Sequence, residues 1–335
     1  MVTFRKLVVP LAVLLLLAGC ASPAALDPEA TSVTDDVTLS MTAFQGEWSD
    51  PSLIAENAGA TTVVAVDGTN LAATGEVTPP SANALAQLEA AHDAGLPAEL
   101  MVGNYDAALG DFSEELAWTT FSDGAATTAA VSAIIAIVTE QGWDGISVDM
   151  ESLETRDTAA LVSFVTGLRA MLPEEASLSI SLQLADSAEG YADAGYDLDV
   201  FADAVDRIIL MGYDEHGPWE LAPGPIGSLD WQRAGLTALL ESVPANKVEL
   251  GVAGYGYQWG VEPTAPLSVA AARELAGDAA IFNEDAGEWT AALPDGSTIW
   301  WSDGESLALR YALAEELGLS GVALWVLELA DPIAP

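Results

Sequence analysis

From Val37 onward, short apolar runs alternate with longer amphipathic segments along the chain. The apolar runs that have the length and composition of β-strands cover residues 38–44, 61–68, 98–105, 145–150, 177–184, 207–213, 247–255 and 321–327. Helical spacing of apolar residues is found between them, for example over residues 81–95, 158–172, 230–243 and 306–318. This alternation is typical of a parallel sheet covered by helices. Because the strands number eight, the pattern predicts an α/β fold of the TIM (β/α)8 barrel type.

The alternation is interrupted once, between the seventh and the eighth predicted strand. Residues 261–303 carry short helix and strand signals and a Pro-Asp-Gly turn at 294–296. We therefore expect a small α/β insertion over about 261–303 that walls one side of a cleft. The barrel with this insertion is expected to occupy residues 38–335 as one domain.

The first twenty residues have the pattern of a secretory signal. Basic residues at Arg5 and Lys6 precede an apolar run over 7–17, which is short for a bilayer span, and small residues lead to Cys20. The ending Leu-Ala-Gly-Cys resembles the bacterial lipobox. It predicts a lipoprotein signal peptide over residues 1–20 and a lipid on Cys20 that anchors the protein to the outer face of the cell membrane. The alternative is that Cys20 is an incidental small residue of the signal.

Residues 21–37 contain mainly Ala, Pro, Ser, Thr and Asp, and we expect them to form a flexible tether. The whole chain has a single cysteine, so it cannot form a disulfide framework. It has 51 acidic residues against 9 lysines and arginines, which repel phosphate backbones, so nucleic acid is not an expected partner. Two explanations of the acidity stay open, adaptation to a salty exterior and an ordinary secreted surface.

Two carboxylates stand where the fourth predicted strand ends, in the stretch Asp-Gly-Ile-Ser-Val-Asp-Met-Glu at 144–151. Asp149 and Glu151 point to the same side because side chains alternate along a strand, and barrel enzymes carry their catalytic groups at this end. Two carboxylates this close cannot both ionise freely, so the pair is expected to supply a proton donor near neutral pH. The alternative is helix capping, the interpretation we favour for Glu154 and Asp157.

The stretch at 144–151 resembles the catalytic signature Asp-Gly-x-Asp-x-Asp-x-Glu of glycoside hydrolase family 18, found at the end of barrel strand four. Residues 210–217 resemble the Met-x-Tyr-Asp motif of strand six, and 321–327 resemble the last strand with its active-site Trp. The run at 211–231, with Val-Gly-Asn-Tyr-Asp after strand three, is most similar to the branch of spore-germination and cortex-lytic N-acetylglucosaminidases. The resemblance covers about residues 38–332.

The resemblance implies a role for each matching residue. Glu151 would protonate the glycosidic oxygen and later activate water. Asp149 would hold the N-acetyl group of the substrate, whose carbonyl oxygen attacks the anomeric carbon in a retaining, substrate-assisted mechanism. Tyr213 would hydrogen-bond that acetamide, and Asp214 would line the cleft beside it. Trp325 would form the apolar floor under the sugar.

Further residues complete the predicted site. Asn104, Tyr255 and His216 are candidates for substrate binding, although a loop histidine equally serves a local hydrogen bond. Asp144 is expected to brace the strand. Ser147 stands where the family usually has its second Asp, whereas the wall-lytic branch often carries a neutral polar residue there, usually Asn. This departure bears on the pH optimum more than on activity.

These features predict a cell-surface glycoside hydrolase that cleaves β-1,4 bonds after N-acetylglucosamine in peptidoglycan. One alternative is a chitinase or chito-oligosaccharide hydrolase with the same mechanism. Another is a non-catalytic sugar-binding barrel, against which the intact Glu151 counts. The sequence has no cluster of His and acidic residues with metal-ligand spacing and no phosphate-binding Gly-rich loop, so neither a metal nor another cofactor is expected.

Overall fold

A computed structural model describes residues 39–72, 76–262 and 265–333. The predicted signal peptide, the tether and Cys20 lie outside this part of the chain. The strands are β1 (Ser40–Gln45), β2 (Val63–Asn70), β3 (Ala98–Gly103), β4 (Tyr105–Asp106), β5 (Asp111–Phe112), β6 (Gly145–Asp149), β7 (Ser177–Gln183), β8 (Arg207–Met211), β9 (Val248–Ala253), β10 (Tyr255–Trp259), β11 (Leu267–Ser268), β12 (Ile281–Asn283), β13 (Glu288–Ala292), β14 (Thr298–Trp301) and β15 (Gly321–Trp325). The α-helices are α1 (Ser52–Asn57), α2 (Ala82–Asp93), α3 (Glu114–Phe121), α4 (Gly124–Gln141), α5 (Thr158–Met171), α6 (Ala188–Asp193), α7 (Leu198–Ala204), α8 (Leu229–Leu239), α9 (Val269–Ala276) and α10 (Gly304–Leu317).

A closed barrel of eight strands forms the centre of the molecule. Its hydrogen-bonded order is β1, β15, β9, β8, β7, β6, β3 and β2, and each pair of neighbours is parallel. The last strand pairs with the first, so the sheet has no free edge. Each of the eight predicted strands corresponds to one strand of this barrel, and the prediction of a TIM barrel is confirmed.

The main core lies between the barrel and its helices. Strand residues such as Ile146 and Val148 are fully buried on the outer face of β6, where helical residues such as Phe164 also lose all contact with solvent. By length and composition alone, α4 could cross a membrane. However, α4 packs against α3 and α5, and its Ile134 and Val138 belong to the main core. Its apolar character is therefore explained by packing within the barrel's outer layer.

Charged side chains fill the inside of the barrel near the strand starts. Glu99 on β3 accepts a hydrogen bond of 2.8 Å from Nη2 of Arg207 on β8. Arg207 Nε lies 3.4 Å from a carboxylate oxygen of Glu249 on β9. The hydroxyl groups of Ser40 and Ser179 donate to Glu249 and Glu99, respectively. Because both carboxylates are fully buried, Arg207 and the two hydroxyl groups offset their desolvation, and the barrel is closed below the predicted site.

The chain between β9 and α10 forms a separate antiparallel sheet in the region where the sequence predicted an insertion. Its strand order is β11, β10, β14, β13 and β12, and α9 packs on it. A small core contains Ile299 and Trp301, and the ring of Trp301 stacks on Trp289 at 5.8 Å. The sheet begins at β10, directly after a barrel strand, so it stands beside the carboxyl-terminal end of the barrel.

Candidate active site

A cavity of about 530 Å³ opens at the carboxyl-terminal ends of the barrel strands. Four carboxyl groups line it, those of Asp67, Asp149, Glu151 and Asp214. Its aromatic lining includes Trp48, Phe112, Tyr213, Trp231 and Trp325. The described lining residues include no lysine and no arginine. Within the described chain, no group of three or more His, Cys, Asp or Glu side chains could hold a metal ion. The cavity therefore combines acid–base groups with apolar ring surfaces.

Glu151 lies two residues beyond the end of β6, and residues from the ends of the two neighbouring strands, β3 and β7, hold it. Its Oε2 accepts a hydrogen bond of 3.0 Å from Nε2 of Gln183, the last residue of β7. Its backbone N–H donates to Oδ1 of Asn104 at 3.0 Å, and its carbonyl accepts from Nδ2 of Asn104 at 2.9 Å. Asn104 is fully buried and lies outside the cavity lining. The structure thus places Asn104, expected to bind substrate, behind the predicted acid, where it fixes the backbone.

The cavity raises the pKa values of the two predicted catalytic acids. Desolvation raises the pKa of Glu151 to about 7, while the hydrogen bond from Gln183 lowers it and the charge of Asp214 raises it further. Burial also holds the pKa of Asp149 well above its usual range, and the charges of Glu151 and Asp67 add to this effect. A carboxyl group with a pKa near 7 is half protonated at neutral pH, so Glu151 can donate a proton there.

Asp214 is held from behind by two tyrosines of the insertion sheet. Its backbone has a φ of 63°, a left-handed conformation that is uncommon outside glycine. The hydroxyl of Tyr255 donates to Oδ1 of Asp214 at 2.6 Å, and that of Tyr257 donates to the same oxygen at 3.1 Å. Tyr255 is buried and lies outside the cavity lining, so the structure gives it a supporting position and not the expected substrate contact.

His216 also lies outside the cavity lining. Its Nδ1 lies 3.0 Å from the carbonyl oxygen of Pro225, within the loop that follows β8. The structure therefore agrees with the local hydrogen-bonding alternative for this histidine.

Trp325 ends β15 at the bottom of the cavity, where its ring meets that of Phe44 edge to face at 5.6 Å. Tyr213 lines the wall next to it, and burial raises the pKa of its hydroxyl well above its usual range. The Tyr213 hydroxyl therefore stays protonated and available as a hydrogen-bond donor. Both residues line the cavity, and their contacts with a sugar stay predictions.

The two remaining residues of the motif lie below the cavity. The carboxylate of Asp144 accepts from the backbone N–H of Ala98 at 2.9 Å and lies 2.8 Å from Nε2 of His92. Asp144 thus ties the start of β6 to β3 and α2, as a bracing residue does. Ser147 is fully buried on the inner face of the barrel, and its hydroxyl has no hydrogen-bond partner among the described residues.

Sequence reasoning did not identify several residues that the barrel brings into the cavity. Asp67, Gln183 and Trp48 come from β2, from β7 and from the loop after β1. Each stands within four residues of the carboxyl end of a predicted strand, the region where barrel enzymes carry functional residues. This positional rule was the available signal, but it does not say which strand-end residues face inward.

A TIM barrel whose strand ends carry neighbouring carboxyl groups with raised pKa values in an aromatic-lined cavity has the architecture of a glycoside hydrolase. The sequence model of glycosyl hydrolases family 18 matches residues 35–330, and the chain belongs to this family. The resemblance seen in the sequence motifs is therefore confirmed at the level of the family.

Relatives of the chain include both cortical fragment-lytic enzymes and chitinases. It is 28% identical to the cortical fragment-lytic enzyme of Bacillus subtilis over 241 residues, which are 66% of this chain and 55% of that protein. It is 25% identical over 240 residues to the uncharacterized glycosylase YvbX of the same organism, covering 68% of this chain and 70% of YvbX. The solved chitinase of Chromobacterium violaceum is 27% identical, with a TM-score of 0.77 over 88% of this chain and 96% of that one.

Proposed function

We propose that the protein is a glycoside hydrolase that cleaves β-1,4 bonds after N-acetylglucosamine in peptidoglycan, at the outer face of the membrane to which Cys20 anchors it. One observation carries the proposal: Glu151, with a pKa of about 7, shares an aromatic-lined cavity with the buried carboxyl group of Asp149. A proton donor and a site for positive charge are thus present within one sugar-sized space. Both are needed to break a glycosidic bond.

The reaction proceeds in two displacements at the anomeric carbon. In the first, Glu151 gives its proton to the glycosidic oxygen, and the acetamide carbonyl oxygen of the same sugar forms a bond to the anomeric carbon as the aglycone leaves. The carboxyl oxygen atoms of Asp149 and the Tyr213 hydroxyl oxygen lie beside the resulting cationic oxazolinium ring and stabilise its charge. In the second, the Glu151 carboxylate takes a proton from water, which attacks the anomeric carbon and reopens the ring. Two inversions leave the configuration retained.

We favour peptidoglycan over chitin as the proposed substrate for two reasons, the relatives of the chain and the predicted lipid anchor. The B. subtilis relative of 28% identity is a cortical fragment-lytic enzyme. A lipid on Cys20 would hold the protein next to the wall. Chitin hydrolysis by the same residues is the second candidate, and the match to the C. violaceum chitinase over 96% of that chain favours it. Both polymers present an N-acetylglucosamine whose acetamide can act as the nucleophile.

Product analysis by mass spectrometry tests the proposal, with purified peptidoglycan and chitohexaose as substrates. Muropeptides with reducing N-acetylglucosamine ends support it, whereas reducing muramic acid ends contradict it. Chitobiose from chitohexaose without any release from peptidoglycan would favour the chitinase alternative.

The location is tested on the same full-length chain, since Cys20→Ser is expected to move it from the membrane fraction into the medium. An unchanged membrane fraction would contradict the anchor.

Asn104→Ala is expected to lower kcat by about 10- to 100-fold with a change in KM of less than about threefold. The substitution removes both hydrogen bonds between this side chain and the backbone of Glu151, so the acid loses its fixed position. Steady-state kinetics on an N-acetylglucosamine oligomer measure the effect. Asn57→Ala, which likewise removes two hydrogen bonds between an amide side chain and the backbone but lies outside the cavity lining, is a suitable control, and equal kinetic losses in both variants would contradict the role of Asn104.

The rate is expected to fall as the pH rises through about 7, because Glu151 then loses the proton it must donate. The hydrogen bond from Gln183 lowers the pKa of Glu151, so Gln183→Leu removes a stabilising contact of the carboxylate. The pKa of Glu151 should then rise, and the alkaline limb of kcat/KM should move to higher pH. A limb that stays in place or moves to lower pH would show that Glu151 does not govern it.

A further inference from the structure

Asp67 and Asn70 form a polar wall of the cavity, the β2 wall, to which the mechanism above gives no role. Both residues belong to β2, and both line the cavity. Residues three apart on a regular strand point to opposite faces. However, the register of β2 shifts directly after Asp67. The β3 partners of the two residues are Met101 and Gly103, which are two residues apart and share one face. The bulge therefore brings both polar side chains to the cavity.

The side-chain amide of Asn70 is fixed in position by its neighbours. Its Oδ1 accepts a hydrogen bond of 3.0 Å from the backbone N–H of Tyr105. Its backbone N–H and C=O are both held by Thr78, at 2.8 Å each. Gly103 makes room for the amide, since a Cβ atom there would lie 2.9 Å from Oδ1 of Asn70. Because Oδ1 is occupied and no hydrogen bond within the described chain uses Nδ2, the β2 wall offers Nδ2 as a donor.

Asp67 supplies the matching acceptor. No hydrogen bond from the described chain reaches its carboxyl group, which is partly exposed in the cavity. Burial, followed by the charge of Glu47, raises the pKa of Asp67 to about 6. At neutral pH the group is therefore mainly a carboxylate, which can only accept hydrogen bonds. A desolvated carboxylate without a donor is unfavourable, and a ligand that brings an O–H group relieves this cost.

The proposed mechanism determines which part of the sugar meets the β2 wall. The glycosidic oxygen on C1 lies at Glu151, whose carboxyl group is held towards β7 by the hydrogen bond from Gln183. The acetamide on C2 lies at Asp149, which pairs with β3 on the other side of β6. The sugar ring continues from C2 to C3 in the same direction, towards β3 and β2. The hydroxyl group on C3 therefore comes to the β2 wall.

We propose that Asp67 and Asn70 select the sugar in the reacting position by its free C3 hydroxyl group. This hydroxyl donates to the Asp67 carboxylate and accepts from Nδ2 of Asn70. N-acetylglucosamine has the hydroxyl, whereas muramic acid carries a lactyl ether at C3, which has no O–H to donate. The β2 wall thus sets cleavage after N-acetylglucosamine and not after muramic acid. This inference rests on the proposed hydrolase function and names the residues behind its specificity.

A substrate that lacks only the C3 hydroxyl group of the reacting sugar tests the inference. Two fluorogenic chito-oligosaccharides are compared, the natural one and an analogue that is 3-deoxy at the sugar next to the fluorophore. The wild type is expected to lose about 10- to 100-fold in kcat/KM with the analogue, because the β2 wall is left unpaired. Asp67→Ala should lose a similar factor with the natural substrate. Its kcat/KM values for the two substrates should then lie within about threefold of each other.

Two further variants separate this role from a general effect on the site. Asn70→Asp keeps the acceptor for the Tyr105 N–H but removes the amide donor, so it should also lower the discrimination between the two substrates. Asp111→Asn removes a negative charge that acts on Glu151 from outside the cavity lining, and its discrimination should equal that of the wild type.

Equal kcat/KM values of the wild type for both substrates overturn the inference. A wild-type discrimination that persists in Asp67→Ala or in Asn70→Asp also overturns it and leaves the proposed hydrolase in place. A wild type without activity on any N-acetylglucosamine polymer overturns the proposed function instead.

Discussion

Glu151→Gln is expected to lower kcat by about 10²- to 10⁴-fold while KM stays within a few-fold of the wild type. The amide has nearly the shape of the carboxyl group and can keep the contact with Gln183, but it has no proton to give to the glycosidic oxygen. It also cannot accept a proton from water in the second displacement. Both halves of the proposed reaction therefore lose their acid–base group, and single-turnover kinetics should show slow product formation without a trapped intermediate.

Glu154→Gln is the matched control for this variant. Glu154 lies three residues further on in the same loop, is exposed, and caps the short helical turn before α5, where an amide oxygen serves as well as a carboxylate. Its kcat should differ from that of the wild type by less than about twofold, since no proton transfer depends on it. If Glu151→Gln kept more than a tenth of the wild-type rate, another group would be the acid.

The barrel was predictable because its signal is local. Each strand is a short apolar run, such as Gly145–Asp149, and each is followed by segments of helical periodicity, so eight repeats define the architecture without knowledge of any contact. Asp149 and Glu151 were predictable for the same reason. Asp149 ends β6 and Glu151 lies two residues further on, and the strand period of two predicts that both point to one side.

Residues that the barrel assembles from distant strands were not predictable in this way. Gln183 reaches Glu151 because β7 pairs with β6, and Asp67 shares a cavity with Asp149 because β2, β3 and β6 are neighbours. Nothing near Asp67 in the sequence distinguishes it from a capping acid. Asn104 was found, but its role was not, because the sequence does not show whether a strand-end side chain faces the cavity or the backbone of the next loop.

The proposed proton donation by Glu151 depends on the acidic lining of the cavity. A lysine or arginine in the lining would lower the pKa of Glu151 and leave it ionised at neutral pH. The described lining has four carboxyl groups and no basic side chain, so burial and mutual repulsion act in one direction and keep protons in the site. The partly buried Arg207 pairs with the fully buried Glu99 and Glu249 near the strand starts. The charged side chains that stabilise the barrel therefore lie apart from the carboxyl groups that line the cavity.

Glu288→Gln is expected to lower the free energy of unfolding by roughly 3 kcal/mol or more, because it leaves Arg310 buried without its charge partner. Both side chains are 1% exposed. The Glu288 carboxylate accepts from the backbone N–H groups of Ile226 and Gly227 at 2.7 and 3.0 Å, and Arg310 Nη2 donates to the carbonyl of Gly227 at 2.6 Å. The pair thus fixes the loop that carries Asp214 to both the insertion sheet and α10.

Thermal unfolding of Glu288→Gln should show a Tm lower by roughly 6 °C or more. Glu316→Gln is the control, since it breaks an ion pair to Arg233 with two contacts of 2.7 Å that is exposed to solvent. Its Tm should change by less than about 2 °C, because water screens exposed pairs. Burial raises the pKa of Glu288 even beside Arg310, so the desolvation of the carboxylate outweighs its attraction to Arg310, and the largest loss comes from leaving one of the two charges buried alone. Arg310→Met combined with Glu288→Gln should therefore cost less than the sum of the single changes, and strict additivity would contradict this coupling.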